Sequence, residues 1–201
     1  IDLESKATDF IEQTEQQLFD LATTGSMDRG FVPFAEALSS AVETAQVAFK
    51  SDGHVVGVTT GLMDLDKKLG GLHSSDLLIL AGRPSMGKTA LATNIAFNAA
   101  KAILKDKPGG AAVAFFSLEM SAEQLAGRIL SAESGIASDK IRRGDLDGED
   151  FEKFADVAKE LASLPLFIDD TPALSISALR TRCRRLKRQH NLGCIVVDYL
   201  Q

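Results

Sequence analysis

An α/β fold with a mostly parallel sheet flanked by helices is the architecture this chain predicts. Three observations predict it. Short, nearly continuous apolar runs at 77–81, 112–117, 166–169 and 194–198 alternate with helical patterns at 88–104, 121–134, 149–162 and 177–190. Strands so uniformly apolar belong to parallel sheets covered on both faces. The first run leads directly into Gly82-Arg83-Pro84-Ser85-Met86-Gly87-Lys88-Thr89, a G-x-x-x-x-G-K-[ST] loop that opens a helix. Two later runs lead into carboxylates, Glu119 and Asp198, at the sheet edge where ligands of such folds bind.

Residues 1–23 predict a free-standing amphipathic helix, with Leu3, Ala7, Phe10, Ile11, Leu18 and Leu21 at helical spacing and Thr23-Thr24-Gly25-Ser26 ending it. Its stripe can pack on its own domain or dock on a neighbouring subunit. Pro33 suits a helix first turn. Phe34, Leu38, Ala41, Val42, Ala45 and Phe49 mark a second amphipathic helix, and Ser51-Asp52-Gly53 a turn. His54 to Thr59 can form a short strand, and a short helix at Met63–Leu69 should stop at Gly70-Gly71.

The run 77–81 feeds the glycine-rich loop, whose task is to hold the oxygens of a nucleotide triphosphate out of water. Its glycines tolerate φ > 0 and close approach, so backbone N–H groups can line the site. Lys88 brings a point charge for the β- and γ-phosphates, and the Thr89 hydroxyl suits Mg²⁺. The helix that begins with Thr89 and Ala90 adds its positive end. Gly82, Arg83, Pro84, Ser85, Met86, Gly87, Lys88, Thr89 and Ala90 are therefore the candidate ATP-binding residues. The alternative is a glycine-rich turn between core elements. The strand–loop–helix context argues against it.

Lys107-Pro108-Gly109-Gly110 reads as an exposed turn, and Ser121 with Gln124 as a capping box. Glu119 follows the strand 112–117 and could polarise an attacking water near the γ-phosphate; its structural alternative is a helix N-terminal Glu favoured by the dipole. Asp198 ends the strand 194–198. It could hold Mg²⁺ directly or through water. Alone it would read as a turn former; the upstream phosphate loop favours the metal role. The helix 177–190 carries Arg180, Arg182, Arg184, Arg185, Lys187 and Arg188 over a stripe of Leu179, Cys183 and Leu186. A solvated basic face explains it better than DNA contact, because aromatic residues for base stacking are lacking there.

A chain of 201 residues suits one large domain with an appendage, and 45% hydrophobic content suits a globular core. The net charge of −6 argues against an overall basic coat for nucleic acid. No apolar run is long enough to cross a bilayer. Cys183 and Cys194 lack metal-ligand spacing and read as reduced, buried thiols of a cytoplasmic protein. His54, His73 and His190 are scattered without a catalytic or metal pattern. Ile1 in place of an initiator Met suggests a fragment.

Several blocks together resemble the replicative DNA helicase of bacteria, the DnaB type: Thr60-Gly61-Leu62-Met63-Asp64-Leu65-Asp66, Leu69-Gly70-Gly71-Leu72, Leu78 through Thr89, Phe116-Ser117-Leu118-Glu119-Met120-Ser121 and Val196-Val197-Asp198-Tyr199-Leu200-Gln201. The Arg-Pro-Ser-Met filling of the loop and the Ser-Leu-Glu-Met-Ser run are the specific parts. The resemblance implies a RecA-like P-loop ATPase motor at 31–201, incomplete at its C-terminus, and an N-terminal linker helix within 1–30 that docks on the adjacent subunit of a homohexamer. It implies unwinding of duplex DNA at the fork with ATP and Mg²⁺, single-stranded DNA in the ring, a primase and a helicase loader as partners, and a nucleoid-associated place in the bacterial cytoplasm. On matching positions, Lys88 and Thr89 hold phosphates and Mg²⁺, Glu119 activates water, Asp198 holds the metal, and Arg128 lies against the nucleotide base. The family's sheet, its DNA-contact loops and its arginine finger continue past the position of Gln201, so the chain alone is not expected to unwind DNA. The competing readings are another RecA-like recombination or repair ATPase, a non-catalytic interaction module and, more distantly, a metabolite kinase.

Overall fold

The computed structural model describes Thr14, Gln17 and residues 31–50 and 55–199. The expected helix at 1–23 lies, apart from Thr14 and Gln17, outside the described residues. Two compact units are present: residues 1–52 with 174–185, and residues 53–173 with 186–201.

In the first unit α1 (Phe34–Lys50) forms where the apolar spacing predicts it. Its stripe is not buried, with Phe34 81% and Phe49 88% exposed. The first part of α7 (Ile176–His190) also falls in this unit. There the Ser175 hydroxyl accepts the Ala178 N–H, and Ala178 and Cys183 are buried.

The second unit holds α2 (Met63–Leu69), α3 (Lys88–Leu104), β1 (Ala112–Ser117), α4 (Ala122–Ser134), α5 (Ser138–Arg143), α6 (Gly148–Leu161), β2 (Leu166–Asp169), the end of α7 and β3 (Leu192–Asp198). The short α5 has no counterpart among the expected elements. The strands form a parallel sheet in the order β2-β1-β3. Central β1 is buried along its whole length, which explains its unbroken apolar sequence. Alternation sends Val113 and Phe115 to one face, in register with Leu166 and Ile168 of β2 and Cys194 and Val196 of β3. The alanines Ala96, Ala99 and Ala100 of α3 pack on that face and let the helix approach closely. On the other face His190 stacks on Phe167, ring centroids 4.5 Å apart.

The Ala111 N–H donates to the Ala99 carbonyl (3.0 Å), so the later turns of α3 lie at the start of β1. At Gly110 a Cβ would come 2.7 Å from the Ile103 nitrogen, so only glycine allows this return. The turn 107–110 thus forms, but its glycines are half-buried rather than exposed. Lys101 pairs with Glu133, tying α3 to α4. Gly70 caps α2 in the left-handed conformation, and Ser121 and Gln124 form the expected capping box on α4. Cys183 and Cys194 are free thiols, and burial pushes the Cys194 thiol above its ordinary range, against the smaller effect of the Ile195 N–H.

Two expected strands do not form. His54 to Thr59 contributes only the bridge of Val58 to Leu72. The run 77–81 is in no sheet, with Leu77 86% and Ile79 82% exposed. The physical reason is the absence of a neighbour: β3 is the edge strand on its side, and no described strand lies beyond it. An apolar run becomes a strand only where another backbone can take its hydrogen bonds.

Candidate functional site

The phosphate loop is shaped by its backbone. Ser85 (φ 63°) and Gly87 (φ 83°) are left-handed, and successive N–H groups in such turns make anion-binding concavities. For Ser85 this conformation costs on the order of 1 kcal/mol, strain of the kind that collects at ligand sites. Lys88 begins α3 directly after Gly87. Its ammonium donates to the carbonyls of Gly82 (3.1 Å) and Arg83 (3.3 Å), which folds the side chain over its own loop. The first turn of α3 carries no carboxylate, whereas α1, α2, α4, α5 and α6 each carry one or two. The positive end of α3 is thus left for an outside anion.

Topology brings the carboxylates toward the same place. Because α3 returns to the start of β1, its N-terminus points to the carboxyl edge of the sheet. Asp198 ends β3 in register with Ser117, so its side chain lies on the face against which α3 packs. Asp198 is only 7% exposed, and its Oδ2 is buried with no hydrogen-bond partner. A buried carboxylate oxygen left in this condition is costly unless a cation or donor arrives. The donor set of Asp198, Thr89 and Lys88 fits Mg²⁺ with a nucleotide triphosphate: hard oxygen ligands for the metal, an ammonium for the phosphates.

Glu119 is exposed in the turn between β1 and α4, at the same edge. The Leu118 N–H donates to the Asp198 carbonyl (2.8 Å), joining this turn to the end of β3. Among the described residues the hydrogen bonds of Lys88 stay within its loop, so the three groups share an edge and a face without direct contact. Arg83, Pro84, Met86 and Ala90 are exposed around the loop and Thr89 is half-buried. Arg128 is exposed on α4, about 10 Å along the helix from Ser121.

Three features of the region escaped sequence reasoning. Asp66 accepts hydrogen bonds from the Thr59 hydroxyl (2.6 Å), the Thr60 N–H (2.8 Å) and the Thr60 hydroxyl (2.7 Å). Burial alone would raise its pKa, but these donors outweigh burial and hold the carboxyl below its ordinary range. The Thr60 carbonyl in turn accepts from Asn98 on α3 (3.0 Å). Asp170 takes the Ala122 N–H at the start of α4 (2.8 Å), and the Ser117 hydroxyl closes the Glu119 turn. Periodicity carries no trace of these bonds, since each depends on where a turn brings a side chain.

A family model for the DnaB-like helicase C terminal domain matches residues 57–201. The replicative DNA helicase DnaB of Rickettsia bellii is 49% identical over 203 residues, covering 99% of this chain and 41% of that protein. The chain belongs to the DnaB-like helicase family. The DnaB of Geobacillus stearothermophilus is 42% identical over 85% of this chain and 36% of its own length. Among solved structures, an isolated ATPase domain superposes with a TM-score of 0.74 at 28% identity, covering 85% of this chain and 58% of that one. A DnaB-like replicative helicase studied with its primase interactions gives 0.68 at 26% identity, over 96% and 46% of the two chains. The chain spans about two-fifths of the length of the curated relatives it matches. With these neighbours the three-stranded parallel sheet is that of a RecA-like ATPase domain.

Proposed function

We propose that this chain carries the ATP-hydrolysing motor of a replicative DNA helicase, with residues 31–201 as motor and 1–30 as linker. The observation that carries the reading is the buried, unpartnered Oδ2 of Asp198, on the sheet face and edge toward which the phosphate loop of α3 points. The amides from Gly82 to Ala90 hold the triphosphate, Lys88 moves from its loop carbonyls to the β- and γ-phosphates, and Thr89 and Asp198 hold Mg²⁺. When bound, Mg²⁺ neutralises charge on the phosphates as the terminal phosphoryl group departs. Glu119 orients a water and takes its proton while the water oxygen attacks the γ-phosphorus and ADP leaves. Arg128 lies against the base.

Coupling to unwinding of duplex DNA at the fork follows from family membership, as do the single-stranded DNA track, the primase and loader partners and a nucleoid-associated place in the cytoplasm. No described helix is long and apolar enough to cross a membrane. Assembly into a ring of copies is supported by the exposed apolar face of α1, which suits docking on a second copy.

The test is fork unwinding and ATP hydrolysis by the full-length parent protein carrying Lys88→Ala. Turnover should fall by about 10²–10³ and unwinding should be lost, the scale expected when a charge placed on the transition state is removed. Unwinding at the wild-type rate would sink the reading.

A further inference from the structure

The Glu119 turn is held by a group that the proposed chemistry does not use. Ser117, the last residue of β1, is 1% exposed, too buried to meet substrate. Its hydroxyl donates to the Met120 carbonyl (2.6 Å) and accepts the Met120 N–H (3.2 Å), so one side chain satisfies both backbone groups of the residue after Glu119. Met120 is itself half-buried against the core formed by α3, β1 and α4. The Leu118 N–H is fixed to the Asp198 carbonyl, and Ser121 caps α4. Every residue from 117 to 121 is thereby anchored except the side chain of Glu119.

We propose that Ser117 is a positioning residue: its buried hydroxyl closes the four-residue turn that sets the Glu119 carboxylate relative to Asp198. The proposal rests on the reading of Glu119 as the water-orienting base. Without the hydroxyl, two backbone groups of Met120 must find other partners and the dihedrals of Leu118 and Glu119 are released. Nucleotide binding, which uses the loop on α3, is left in place. Catalytic geometry is sensitive on the scale of 1 Å, at which about 10²-fold in rate is at stake.

The experiment measures steady-state ATP hydrolysis and fluorescent ATP-analogue binding on the full-length parent protein with Ser117→Ala, Glu119→Gln and the double variant. Ser117→Ala should lower kcat by about 10- to 100-fold with KM and analogue affinity within about twofold. In the Glu119→Gln background the same change should alter the residual rate by less than about twofold, because two residues acting through one carboxylate are not additive. Ser117→Cys keeps the buried volume with a weak donor and acceptor. It serves if Ser117→Ala does not fold, and should lose at least about threefold in kcat at unchanged affinity. A wild-type kcat for the Ser117 variants beside an inactive Glu119→Gln overturns the positioning role alone. So does a further loss of analogue binding when Ser117→Ala is added to Glu119→Gln. A Glu119→Gln protein that hydrolyses ATP at the wild-type rate overturns the assignment of Glu119, and this proposal with it.

Discussion

The two halves of the candidate site are built in opposite ways. The carboxylate half hangs on paired strands: Asp198 and Ser117 are in register, both buried, and Glu119 projects from a turn pinned at each end. The phosphate half rests on one helix. Its loop is exposed, and its lead-in, 77–81, has no strand beside it. The carboxylates are thus positioned by the sheet and core, while the phosphate loop is positioned by α3 and by its own hydrogen bonds. That difference predicts where substitutions will be felt.

The largest stability effect should come from beneath the carboxylate half. Phe115 is 2% exposed at the centre of the core that carries the end of β1. Phe115→Ala removes most of an aromatic side chain from a packed interior and should cost about 4 kcal/mol in denaturant unfolding. A cost below about 1 kcal/mol would mean that the sheet is not the rigid half of the site.

Between the halves stands the Asp66 latch. It holds the stretch 59–60, and through Asn98 it grips the middle of α3, the element that supports the phosphate loop. Asp66→Ala strands the buried Thr60 N–H and should cost about 3 kcal/mol. The pH dependence has a definite sign. The folded-state pKa of Asp66 is lowered, so its contribution is present above the unfolded carboxyl value of about 3.9 and is lost as pH falls through the folded one. The gap between wild type and Asp66→Ala should therefore narrow as pH drops from about 5 to about 3 in unfolding curves. A gap that stays constant over that interval would remove the carboxylate from the latch.

Much of this arrangement is legible in the sequence because its signals are local. The phosphate loop is an unbroken stretch whose glycines and lysine declare their task, and the helix 88–104, the strands 112–117 and 166–169 and the capping box of Ser121 and Gln124 appear where spacing predicts them. Strand order is another matter. A run such as Leu77-Leu78-Ile79-Leu80 has the composition of a buried strand, but composition cannot say whether a partner is at hand, and here none is described. The same holds for the apolar face of α1: its spacing predicts the helix and says nothing of what covers it. The hydroxyl of Ser117 and the latch of Asp66 were illegible for a further reason. A serine or aspartate in a turn is common, and only the fold shows that its oxygens meet buried backbone groups.

The smallest expected effect is the sharpest probe of the contrast between the halves. Ile79 is as apolar as any core residue, yet it is largely exposed and its backbone lies in no sheet. Ile79→Ser in the chain of residues 1–201 should change unfolding free energy by less than about 0.5 kcal/mol, since little apolar area returns to water. Placed beside Phe115→Ala under the same conditions, it measures how far the phosphate half is independent of sheet packing. A cost near that of Phe115→Ala would mean that the run 77–81 is paired and buried in solution, and that sheet packing positions both halves of the site.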